Sequence, residues 1–120
     1  MDRHQSLTRR HILVVEDDYF VADDLAAALE AAGAKVVGPA ASMSAALGLI
    51  DQTDRIDGAV LDINLKGEMA YAVADALQER SVPFVFATGY DRQTIPARYA
   101  HVSVCEKPFE PGQITKAMFG

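Results

Sequence analysis

The chain has 120 residues, enough for one domain with a real core and too few for a catalytic domain joined to a regulatory one. Half of its residues are hydrophobic and 23% are charged, a globular composition whose longest apolar runs fall far short of a membrane span. Seventeen acidic side chains against eleven basic ones give a net charge of -6, which argues against nucleic acid or an anionic membrane as partner.

In chain order, the opening MDRHQSLTRR is polar and lacks the apolar stretch of a signal peptide. Residues 1–9 read as a flexible tail ahead of a domain over 10–120, with Arg9 and Arg10 a small basic spot that reads as solvated tail rather than a binding arm. HILVV (11–15) is the first strand. Val21, Leu25, Ala28, Leu29 and Ala32 then fall on one helical face, with Gly33 where a C-terminal cap belongs. AKVVG (34–38) is a second strand, and Ser42 caps a helix carrying Met43, Ala46, Leu47 and Ile50. GAVLDI (58–63) is a third strand. Met69, Val73, Ala76 and Leu77 mark a third helix, ended before Pro83. PFVFAT (83–88) and HVSVC (101–105) complete the strands. Helix is expected over 91–100, where Pro96 suits only a first turn, and over about 111–119.

Continuous apolar strands alternating with helices predict a parallel sheet covered on both faces, a doubly wound α/β fold of five strands in the order 2-1-3-4-5. In that order the first and third strands are neighbours, and ligands bind beyond their carboxyl ends. The single Cys105 leaves no internal disulfide to form, which fits a reducing cytoplasm. It reads as strand core, and His4, His11 and His101 have no metal-ligand spacing.

At the carboxyl ends stand Glu16, Asp17 and Asp18 after the first strand, Asp62 and Asn64 on the third, Thr88 after the fourth and Lys107 after the fifth. Acidic residues that begin a helix also have a plain structural use, because they satisfy its free N–H groups. Carboxylates gathered from adjacent strands, however, repel one another unless a cation sits among them. Oxygen donors without histidine or thiolate favour a hard ion such as Mg²⁺. A cation beside Asp62 would assist phosphoryl transfer onto its carboxylate, with the Thr88 hydroxyl and the Lys107 ammonium serving the equatorial oxygens.

The set ILVVEDD (12–18), LDINL (61–65), ATG (87–89) and EKPF (106–109) resembles the receiver domain of two-component response regulators, from about His11 to Met118. The resemblance implies a flavodoxin-like fold and a signalling role rather than an enzyme of metabolism. It makes Asp62 the phosphoacceptor, Asp17 a direct Mg²⁺ ligand, Glu16 a ligand through water, and Asn64 a ligand through its carbonyl. Thr88 and Lys107 would meet the phosphoryl group, and the Lys107–Pro108 bond would be cis. It also implies a histidine kinase or histidine phosphotransfer protein as phosphodonor, a downstream protein partner, and a signal carried by the face that residues 91–119 form. PFVFATGY (83–90) with INLKG resembles the FATGUY type, many of whose members are stand-alone receivers paired with HWE or HisKA2-type kinases.

Two positions depart from the common receiver pattern. Val104 stands where many receivers carry a switching Tyr or Phe, so the signal is expected to pass through Thr88, Tyr90 and the segment 91–100 instead. Lys66, followed by Gly67, stands where a proline is usual after the acceptor. Two related chemistries fit less well. A flavin site needs a phosphate cradle that EDD would repel, and a haloacid dehalogenase phosphatase needs a DxDxT motif that is absent. A receiver-like interaction module that is never phosphorylated is the remaining alternative, and the sequence leaves open whether the chain stands alone or belongs to a longer regulator.

Overall fold

The computed structural model describes residues 7–65, 68–88, 95–106 and 111–119. Strand β1 (His11–Val15), helix α1 (Tyr19–Ala31), β2 (Lys35–Ala40), α2 (Met43–Gln52) and β3 (Gly58–Asp62) come first. Two-residue strands β4 (Asn64–Leu65) and β5 (Glu68–Met69), α3 (Tyr71–Glu79), β6 (Phe84–Thr88), β7 (Val104–Glu106) and α4 (Pro111–Phe119) follow. The long strands form one parallel sheet in the order β2-β1-β3-β6-β7, the expected 2-1-3-4-5 once the small antiparallel β4–β5 ladder is set aside.

The continuous apolar runs arise because successive side chains feed two separate cores. Ile12, Val14, Val60, Val85, Ala87 and Cys105 pack to one side with Leu25 and Leu29 of α1 and Ile114 of α4. Leu13, Val15, Ala59, Leu61, Phe84 and Phe86 pack to the other with Ala46 and Ile50 of α2 and Val73 and Leu77 of α3. Each large aliphatic side chain so buried stabilises the fold by about 1.5–3 kcal/mol relative to exposure. Leu7, in the stretch expected to be tail, is buried in the first of these cores. The Arg9 N–H donates to the Gly33 carbonyl at 2.9 Å, so the described chain is packed from residue 7 onward.

Helix ends follow the sequence closely. Gly33, at φ +98°, ends α1: its N–H donates to the Glu30 carbonyl and that of Ala34 to the Leu29 carbonyl, the paired bonds of a left-handed helix stop. Ser42 Oγ accepts from the Ala45 N–H at 3.1 Å and caps α2. The far end of α2 is closed from another helix, since the Arg80 guanidinium at the end of α3 donates to the carbonyls of Ile50, Thr53 and Asp54.

Three expectations need correction. Met69 is not part of α3. It pairs with Asn64 in the β4–β5 ladder, and the Ala70 N–H donates to the Ile63 carbonyl at 2.8 Å, so the chain folds back on itself before the helix begins. The helix expected over 91–100 is, in its described part, a single 3-10 turn at Ala97–Tyr99. Pro96 lies at φ -55° and ψ 147°, extended rather than helical, and its ring also steers Ile95 away from the helical region. The last strand is confined to Val104–Glu106, because the Val102 N–H is used to close that turn on the Tyr99 carbonyl.

Strand β2 contains the one irregularity that bears on the sheet edge. Leu13 pairs with Val37 but Val15 with Ala40, so β2 carries an extra residue at Gly38 and Pro39. Pro39 has no N–H for the ladder, and Gly38 sits at φ +94° with room for no Cβ, which would lie 2.8 Å from the Ala40 nitrogen. The bulge advances Ala40 so that its carbonyl receives the Glu16 N–H at 2.9 Å. Gly38→Ala is expected to lower stability by about 1–3 kcal/mol; the check is urea unfolding, in which the midpoint falls while the slope is kept.

Candidate functional site

β1 and β3 are hydrogen-bonded neighbours with Val15 opposite Leu61, so whatever follows these residues leaves the sheet at the same edge. Glu16 follows β1. Its main chain is held by the Ala40 carbonyl, and its carboxylate, only 4% exposed, accepts from the Asp18 N–H at 3.1 Å. Asp17 comes next and is half-buried. Asp62 ends β3 opposite Ala87 of β6, and its Oδ1 accepts from the Asn64 N–H at 3.2 Å. One carboxylate oxygen from each of Glu16, Asp17 and Asp62 lies within 4.8 Å of the other two.

Asp18 does something else. Its Oδ1 accepts from the N–H groups of Phe20 at 2.9 Å and Val21 at 3.2 Å, which caps α1. EDD therefore divides by residue: Glu16 and Asp17 each bring a carboxylate oxygen to the cluster, and Asp18 caps the helix.

Asn64 opens β4, and Thr88 is the last residue of β6, at the edge where Asp62 emerges. Lys107 lies outside the described residues, and so do the Lys107–Pro108 bond, Tyr90, and the Lys66 and Gly67 pair. The sequence reading missed Tyr19 and Phe20. These residues begin α1 beside the cluster, are 75% and 77% exposed, and meet edge to face at 5.6 Å.

At an effective dielectric of about 20, two full charges at the separation found here repel by roughly 3 kcal/mol. With three such groups, a positive charge among them would relieve the repulsion. The donors are all oxygens, one of them on a buried side chain, which fits a hard divalent cation such as Mg²⁺ better than a softer ion.

Residues 12–119 match the family described as response regulator receiver domain. The chain belongs to that family. Receiver domains are signalling domains rather than classical enzymes, and similar proteins agree with the assignment. SdrG from Sphingomonas melonis Fr1 is 35% identical, with a TM-score of 0.79 over 93% of this chain and 94% of its own. A BeF3-activated conformation of SdrG, from Pseudomonas melonis Fr1, is 37% identical, with a TM-score of 0.73 over 93% of each chain. The phyllosphere-induced regulator PhyR of Methylorubrum extorquens is 30% identical over 107 residues, 87% of this chain. The chain spans 40% of the length of that curated relative. No helix among the described residues of this receiver is long and apolar enough to cross a membrane.

A second polar group of the receiver lies deeper along β6. Tyr99 is fully buried, stacked on Tyr71 at 5.4 Å and edge-on to Phe86 at 5.7 Å. Its hydroxyl faces two acceptors, the Asp75 carboxylate and the Tyr71 carbonyl, the latter at 3.0 Å. Arg98 covers the group from outside, with Nε 3.4 Å from Asp75 Oδ1 and its guanidinium 4.6 Å from the Tyr99 ring centre. The Tyr99 hydrogen bond holds the Asp75 carboxyl below its usual range, while burial pushes the Tyr99 hydroxyl up. Burial likewise pushes up the thiol of Cys105.

Two outcomes are expected. Mg²⁺ raises the melting temperature, by the equivalent of about 2.7 kcal/mol when its concentration is a hundred times Kd. Asp17→Asn blunts that response, and without metal it is no less stable than wild type because one repelling charge is gone; differential scanning fluorimetry across a Mg²⁺ series reads both. The second outcome concerns pH. A carboxyl whose pKa falls on folding contributes stability that is present above its unfolded value and is lost as pH drops through its folded value. Asp75 is about half exposed, so the effect is modest. The stability difference between wild type and Asp75→Asn in urea is expected to hold at neutral pH and to shrink below the carboxylate range.

Proposed function

We propose that this receiver accepts a phosphoryl group on Asp62 from a phosphohistidine and passes the change to a protein partner. The observation that carries the reading is the meeting of Glu16, Asp17 and Asp62 oxygens within 4.8 Å at the carboxyl edge of the sheet. Asp17 and Asp62 would bind Mg²⁺ directly, Glu16 through water, and Asn64 through its carbonyl. When bound, the ion supplies positive charge against which nucleophile and phosphoryl group can approach.

The chain's own residues do the rest. An Asp62 carboxylate oxygen bonds to phosphorus as the P–N bond of phosphohistidine breaks, and the departing pair stays on the imidazole nitrogen, which takes a proton. The hydrogen bond from the Asn64 N–H to Asp62 Oδ1 orients that carboxylate before the donor arrives. Thr88 contributes a hydroxyl and Lys107 an ammonium to the equatorial oxygens, so charge is balanced as the group is transferred.

Likeness to SdrG in a BeF3-activated conformation supports this reading, since a beryllium trifluoride adduct on a carboxylate has the shape and charge of a phosphoryl group. The phosphodonor is a histidine kinase, of HWE or HisKA2 type on the strength of the FATGUY-like run at 83–90, or a histidine phosphotransfer protein. The output face is the one formed by residues 91–119. A cytoplasmic location follows from such partners.

The test is intact-mass measurement after incubation with acetyl phosphate and Mg²⁺. Wild type is expected to gain one phosphoryl group and Asp62→Asn none. A wild type that gains nothing would favour an interaction module that works without phosphorylation.

A further inference from the structure

Val104 of β7 stands where many receivers carry a switching aromatic, yet the segment 91–119 does set a buried aromatic against β6, the neighbour of the acceptor strand. Tyr99 packs on Phe86, and Phe86 lies opposite Leu61, the residue before Asp62. Thr88 ends the same strand two positions later. A displacement at the end of β6 thus reaches Tyr99 through one ring contact, inside a core too dense to absorb it.

The polar end of Tyr99 has two alternatives. A phenol carries one proton to donate, and here it faces two acceptors on α3. The Asp75 carboxylate is about half exposed and shared with Arg98, whereas the Tyr71 carbonyl is a main-chain group of the same helix. A hydroxyl between a charged acceptor that water can also serve and a neutral one within the fold has two discrete arrangements. The main-chain bonds that close the turn beside it are local: Tyr99 to Pro96, Ala100 to Ala97 and Val102 to Tyr99. The seating of Tyr99 therefore decides how firmly residues 95–103 lie on α3.

We propose that Tyr99 is the relay of this receiver: its hydroxyl bond to Asp75 holds the 95–103 segment on α3, and modification of Asp62 releases that bond through Phe86. The relay rests on the phosphoacceptor reading above and adds to it a route that includes α3. Drawn toward the phosphoryl group, the Thr88 end of β6 carries Phe86 with it. Tyr99 reseats, and its O–H, still carrying its proton, ceases to donate to the Asp75 carboxylate and donates to the Tyr71 carbonyl alone. Asp75 and Arg98 are then left to each other and to water, and the surface they share with the turn changes shape.

The experiment is amide hydrogen exchange at Ala100 and Val102, resolved by NMR, before and after labelling with acetyl phosphate and Mg²⁺, with the mass of each sample measured in parallel. In wild type, labelling is expected to raise exchange at both amides by about tenfold or more. Tyr99→Phe keeps the ring and loses the hydroxyl, so it takes the label at Asp62 while its Ala100 and Val102 exchange is already raised and does not change on labelling. Asp75→Asn, which keeps an acceptor but removes the charge, is expected to behave in the same way, and it provides the reading should the Tyr99 variant fail to fold.

A labelled wild type with unchanged exchange at Ala100 and Val102 would overturn the relay while leaving Asp62 as acceptor. A wild-type-sized response in either variant would overturn it equally. A wild type that gains no mass removes the phosphoacceptor reading, and the relay with it.

Discussion

Like charges at one sheet edge are the constraint on which this molecule depends. They meet there because β1 and β3 are adjacent and in register up to Val15 and Leu61, so Glu16, Asp17 and Asp62 emerge side by side. Nothing in the apolar packing requires this, and the repulsion works against folding. The backbone around the cluster is accordingly tied down at each point of exit. The bulge in β2 brings the Ala40 carbonyl to the Glu16 N–H, the Asp18 N–H satisfies the buried Glu16 carboxylate, and the Ile63 N–H reaches the Ala87 carbonyl just after Asp62. Main-chain N–H groups thus reach the carboxylates of Glu16 and Asp62, which is what a preorganised site would need.

After the acceptor, Asn64–Leu65 pair with Glu68–Met69 in a short ladder, fastened by the bond from Ala70 to Ile63. The loop beside Asp62 is therefore anchored by sheet-type pairing at its described ends, and α3 starts from a fixed point. That matters because α3 carries Tyr71 and Asp75, the groups that meet Tyr99.

Most of the fold was legible because it rests on local patterns. Apolar runs such as HILVV and GAVLD announce strands covered on both faces, and Ser42 and Gly33 announce where helices begin and end. What escaped was decided by partners distant in the chain. Met69 fits the helical spacing of Val73 and Leu77, but its pairing with Asn64 wins. Leu7 is one apolar residue in a polar stretch, and only the packed core shows why it is buried. Of the site, the carboxylates could be read from their positions after strands; position alone does not separate Asp17 from Asp18, since both precede the same helix, and only the resemblance named Glu16 and Asp17 as ligands. Tyr99 gave no signal at all. Its hydroxyl partners lie on another helix, and a tyrosine in PARYA reads as surface until the fold closes over it.

Cys105 sits beside Ala87 in β7, 5% exposed, with burial raising its pKa. A thiol kept protonated and shielded reacts slowly with peroxides and with alkylating reagents, because both need the thiolate and a path to it. As the chain's single cysteine, it gives the protein a thiol chemistry that is quiet in the native state. Its one thiol is therefore a poor target for such reagents, and a cysteine introduced on the surface would carry a fluorescent or spin probe with little competition from within.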